Sequence, residues 1–125
     1  MKRILTILLV LWSLNSTAQS RLGFSYQEVY DEFPDEIVDF TFGKDILIEF
    51  TFFSIFHIFN EDLVCIRTTI IAHNEKAAAF FHNKLDGESL ALSDTTWAKA
   101  MDGYNIYCKM SYMESIQKVV FIWEY

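Results

Sequence analysis

The sequence predicts an α+β fold: a mostly antiparallel sheet of about six strands, with two short helices packed on one face, in the order α-β-β-β-α-β-β-β. Three observations lead there. Ser25 and Asn74 open segments with helix-start signals. Between and after them run segments rich in Phe, Ile, Val, Thr and Tyr, which suit strands and are separated by turn residues. Finally, 52% hydrophobic residues over a length of 125 supply one core, which is too apolar for a disordered chain and too short for two domains.

The first eighteen residues are expected to lie outside that fold. Lys2 and Arg3 precede an apolar run, Ile4 to Leu14, which is shorter than the roughly 20 residues a spanning helix needs. Small residues Ser16 and Ala18 follow, so the segment resembles a Sec signal peptide cleaved after Ala18. Domain organisation is then 1–18 signal peptide and 19–125 a single α+β domain, periplasmic or secreted. Cleavage takes Lys2 and Arg3 from the ten bases and none of the 17 acids, leaving a charge of −9 over 107 residues. No stable membrane span is expected afterwards: Ile46 to Phe59 is the longest other apolar run, and it contains Glu49 and His57.

Each element has its own reason. Ser25-Tyr26-Gln27-Glu28 reads as a capping box, and Pro34 stops the helix, giving a short helix over about 25–33. Asp45 to Phe52 and Phe53 to Phe59 read as strands with a bend or bulge between them. Asn60-Glu61-Asp62 then turns the chain into Leu63 to Ile71, a hairpin signal. Leu63-Val64-Cys65-Ile66 is apolar on both parities, which places it centrally in the sheet. Asn74 caps the second helix, whose Ala78, Phe81 and Leu85 share a face and whose end is expected at Asp86-Gly87. Leu90 to Trp97 and Ala98 to Met101 are less clearly patterned. Asp102-Gly103 is a two-residue hairpin signal leading into Tyr104 to Met113, and a turn at Glu114-Ser115 precedes the last strand, Lys118 to Tyr125. The two halves line up at an offset of about 52 residues without residue identity, a repeat of organisation.

The charge balance excludes nucleic acid as a partner, since phosphate contacts need clustered Lys and Arg. The four isolated glycines make no phosphate loop or nucleophile elbow, and no cofactor is expected. His57, His73 and His82 lack the close spacing of a zinc site. Asp31, Glu32, Asp35, Glu36 and Asp39 crowd nine residues, yet their spacing fits no EF-hand loop and suits a solvated turn. No catalytic or metal-binding residue is therefore assigned.

Two features could carry function. Cys65 and Cys108 are candidates for a disulfide in an oxidising compartment, closing a loop whose constraint is worth roughly 4 kcal/mol. Eleven of the twelve phenylalanines lie between Phe24 and Phe81, whereas Trp97, Tyr104, Tyr112, Trp123 and Tyr125 fall in the second half. Tyr and Trp pair a large apolar body with a polar tip, so these five form the candidate binding face for a protein or envelope glycan. The leading expectation is a non-enzymatic exported binding domain. A small envelope enzyme whose site assembles only in space, and a structural homodimer, are the alternatives.

Overall fold

The computed structural model describes residues 21–38 and 45–125. The expected export signal and Asp39 lie outside the described residues. Within them the chain is the expected α+β fold, with more strands than the periodicity shows. The order is α1 (Tyr26–Glu32), a 3-10 turn (Pro34–Glu36), β1 (Ile37–Val38), β2 (Ile46–Glu49), β3 (Phe53–Phe59), β4 (Cys65–Ala72), α2 (Glu75–Glu88), β5 (Leu90–Ala91), β6 (Thr96–Ala100), β7 (Asn105–Met113) and β8 (Lys118–Glu124). They form one antiparallel sheet ordered β1-β2-β3-β4-β8-β7-β6-β5. The two extra strands, β1 and β5, are two residues each and sit at the sheet's two edges. Each half is thus a helix followed by a four-strand meander, and the last strand of each meander pairs with the other at the centre.

Local chemistry explains the helix ends. The Ser25 hydroxyl accepts from the Glu28 N–H at 3.2 Å, and the Glu28 carboxylate accepts from the Ser25 N–H at 3.1 Å. These two bonds satisfy amides that the first turn leaves unpaired. They also hold the Glu28 carboxyl below its usual range, the Ser25 backbone N–H contributing most. The Asn74 side chain caps α2 by accepting from the Ala77 N–H at 2.9 Å. Contrary to the expected stop at Gly87, α2 continues to Glu88. Its cap is Ser89, whose N–H donates to the Leu85 carbonyl at 2.9 Å.

Both helices cover the same sheet face. On it stand Ile46, Ile48, Phe53, Ile55, Phe59, Ile70, Ile106, Phe121 and Trp123, all buried. From α1, Val29 enters this core, and Tyr26 meets Phe59 edge-on at 5.1 Å. From α2, Phe81 packs edge-on against Phe53 at 5.1 Å and lies 5.9 Å from Phe121. Edge-to-face rings add roughly 0.5–1.5 kcal/mol per pair beyond area burial.

The chain preceding α1 is bound to the sheet. Gly23 donates to the Cys65 carbonyl at 2.9 Å, Cys65 donates to the Phe24 carbonyl at 2.8 Å, and Tyr26 donates to the Leu63 carbonyl at 2.9 Å. Residues 23–26 therefore pair with the chain entering β4, whereas β8 pairs with its second half from Thr68 to Ile71. The register of β3 and β4 shifts at Ile58 and Phe59, so the run Leu63–Ile66 is not uniformly buried: Cys65 is buried, while Leu63 and Ile66 are exposed. Gly23 is required here, with φ of +86° and the Tyr125 hydroxyl 3.3 Å from where a Cβ would stand.

Candidate functional site

The five aromatics of the second half share one side of the sheet by register and alternation, but it is the side that the helices cover, so they form no exposed binding face. Trp97 and Trp123 belong to the core, at 0% and 1% exposure, while Tyr104, Tyr112 and Tyr125 are exposed. Alternation places both tryptophans on the side that α2 covers. Trp97 sits 5.1 Å from the His82 ring, and its indole N–H donates to the Asp86 carboxylate at 2.9 Å. Tyr104 and Tyr125 have ring centres 5.7 Å apart at one end of β7. Tyr112 lies eight residues further along, roughly 27 Å at the rise of a strand. Three exposed tyrosines so divided cannot make one contact patch.

The bridge between Cys65 and Cys108 does not form. Both are free, buried thiols, on β4 and β7, and β8 runs between those strands. In register, Trp123 stands beside Cys108 and beside Thr68. A disulfide needs Cα atoms within about 7 Å, which two ladder steps exceed. Burial pushes both thiols up from their ordinary range, away from the reactive thiolate.

The other sheet face carries no helix among the described residues. Its positions follow from the register: Leu47, Phe56, Thr69, Ile122 and Lys109 in one row, and Ser54, Ile71 and Val120 in the next. Ile58, Arg67, Glu124 and Tyr107 continue it towards the far end. Leu47, Phe56, Ile58, Ile71 and Ile122 are half-buried, and Tyr107 is 45% exposed. A sheet face without helices is ordinarily polar at alternate positions. This one is apolar at its centre. Its charges are Arg67, Lys109 and Lys118 against Glu49 and Glu124, with Arg67 and Glu124 paired at 3.2 Å. Three bases to two acids contrasts with ten to 17 for the chain.

At the end of this sheet, where β4 passes into α2, lies a cleft of about 430 Å³. His73, Glu75, Tyr112, Gln117 and Lys118 contribute its polar groups, and Ala72, Ala78 and Val119 its apolar surface. The His73 ring is held on both nitrogens: Nδ1 lies 3.1 Å from the Thr51 carbonyl and Nε2 2.7 Å from the Ser54 hydroxyl. Because a carbonyl only accepts, Nδ1 carries the proton and Nε2 accepts from Ser54. The Lys118 ammonium donates to the His73 carbonyl at 2.9 Å.

A third cluster is buried beside Cys65, and nothing in the sequence pattern pointed to it. Arg21 is 5% exposed; its Nε lies 2.8 Å from both Glu32 carboxylate oxygens, and Nη2 pairs with the same carboxylate. The Arg21 N–H donates to the Thr68 hydroxyl at 3.3 Å, and that hydroxyl lies 3.0 Å from His57 Nδ1. The Thr68 hydroxyl, with one donor and two acceptor sites, thus links the Arg21 backbone to the His57 ring. Burial, reinforced by the nearby Arg21 charge, holds the His57 pKa down at about 3. This cluster ties the N-terminal segment to α1, β3 and β4, and it is a structural network.

Among the described residues, no group of three or more His, Cys, Asp or Glu converges as a metal site. Glu32, one of the acidic run, is taken by Arg21. No helix among them is long and apolar enough to cross a membrane. Comparisons with protein-family models, with characterised proteins and with solved structures found no match to this chain.

Proposed function

We propose that the chain is a small exported, non-enzymatic binding domain of the cell envelope, and that it contacts a protein partner through the sheet face that carries no helix among the described residues. The observation that carries this reading is the apolar centre of that face. Leu47, Ile58, Ile71 and Ile122 are apolar and half-buried at positions that in such a sheet are ordinarily polar. The excess of bases over acids on this face, in an acidic chain, favours a partner whose apolar patch is bordered by carboxylates. A glycan would need several exposed rings for stacking, and Tyr107 is the exposed ring here. Export rests on the leader-like residues 1–18, and N-terminal sequencing of the exported protein should read from Gln19. A chain retaining Met1 would remove that part of the reading.

The binding test uses substitutions at exposed positions. The wild type and the variants Tyr107→Ser and Lys109→Glu serve as baits in envelope extract of the native host. A partner held by the wild type and lost by both variants supports the reading. A partner held equally by all three, or no partner at all, overturns it. If the wild type instead elutes as a dimer and Tyr107→Ser as a monomer, the partner is a second copy.

The hydrogen-bonded series Ser54–His73–Thr51 favours a second reading, a small hydrolase, because it orients a base against a hydroxyl. Ser54 is only 5% exposed, and an attacking hydroxyl must reach its substrate. Labelling of Ser54 by a fluorophosphonate would establish this second reading, and inert Ser54 would dismiss it.

A further inference from the structure

We propose that the cleft between the start of α2 and the β7–β8 hairpin binds a zwitterionic ligand, an α-amino acid or a short peptide. The site lies at the end of the sheet and shares Lys118 with the face described above, but holding a small zwitterion there does not require a protein partner on that face. Its volume of about 430 Å³ is near the lower end for small-molecule cavities, suited to a ligand of dipeptide size.

Three observations converge. The half-buried Lys118 ammonium has no ion-pair partner among the described residues; its bond to the His73 carbonyl leaves two N–H donors free. A partly desolvated cation of this kind favours an incoming carboxylate. Second, Glu75 lines the same cleft and likewise has no cation paired with it among the described residues. Lys118 and Glu75 both line the cleft without pairing with each other, beside apolar surface from Ala72, Ala78 and Val119. A ligand carrying a carboxylate and an ammonium satisfies both; a simple anion would face the Glu75 charge. Third, Gln117 adopts φ of +54°, a conformation disfavoured for a side chain of this type, and it lines the cleft. Glycine or asparagine would serve the turn with less strain, and the glutamine kept there lines the cleft. The locked His73 ring keeps the carbonyl that holds Lys118 in place.

The test is an NMR titration of the protein, purified as its host produces it, with L-alanyl-L-alanine. Saturable shifts at residues 72–75 and 117–119 are expected. N-acetyl-L-alanine, lacking the amine, and L-alaninamide, lacking the carboxylate, should each bind at least tenfold more weakly. Lys118→Gln should abolish the response; Glu75→Gln, at an exposed position, should erase the preference for the free amine even if Lys118→Gln proves poorly folded. No saturable shift up to about 10 mM dipeptide, an affinity too weak for specific recognition, would overturn the proposal. Equal binding of all three compounds, or an unchanged preference in Glu75→Gln, would overturn it as well.

Discussion

Acidification should unfold this protein through His57, ahead of its carboxylates. His57 is 2% exposed and titrates at about 3 when folded, against an ordinary 6.5. Between those values the unfolded chain binds a proton that the native state refuses. Stability is therefore full above about pH 6.5 and falls as the pH drops towards 3, by about 1.4 kcal/mol per pH unit. From pH 6.5 to 5 the loss is about 2 kcal/mol, a large fraction of a typical total of about 5–15 kcal/mol. Stopping at pH 5 avoids Glu28, whose capping bonds are lost only as the pH falls below the ordinary carboxylate value. The assay is urea unfolding at pH 7 and pH 5, for the wild type and for His57→Gln, whose amide retains a partner for Thr68 without titrating. The wild type should lose about 2 kcal/mol more than the variant over this interval. Equal losses, or an NMR midpoint for His57 above pH 5, would refute the buried neutral imidazole.

Other consequences are simpler to check. Glu32→Ala leaves the Arg21 guanidinium buried without its carboxylate. It should cost about 2–3 kcal/mol in urea unfolding, below the full value for a buried pair because Glu32 is partly solvated. Ser25→Ala removes the hydroxyl of the capping box and should cost about 1 kcal/mol. For the cysteines, alkylation in denaturant without reductant should modify both Cys65 and Cys108, and intact mass would reveal a bridge by the absence of both adducts. Gln117→Gly relieves a left-handed side chain and should leave stability unchanged or raise it by up to about 1 kcal/mol, read as a higher Tm.

Much of the architecture was legible because its causes are local. The capping box at Ser25 and the cap at Asn74 act within four residues, and both appear where the spacing puts them. Asp102-Gly103 makes its hairpin turn, with Gly103 at φ of +83°. β1 and β5 escaped notice because two residues carry no periodicity, and they exist as edge partners of longer strands. Alternation says which residues share a face, never which face a helix covers. That is why Trp97 and Trp123, read as surface, are core. Arg21 was invisible for a different reason. Its partners lie 11 and 47 residues away, and an arginine near a leader-like segment looks like any solvated charge until Glu32 and Thr68 surround it. The helix-free face shows the same limit: its apolar residues come from four strands, and only their register collects them.

The central proposal, that the sheet face without a helix among the described residues is the contact surface, can be tested by site-specific photo-crosslinking in the native host. A photoreactive residue replaces Tyr107 on that face in one strain and Phe80, exposed on α2, in another. A discrete adduct from position 107 and none from position 80 is the predicted result. An adduct from position 80 with none from position 107 would contradict the account.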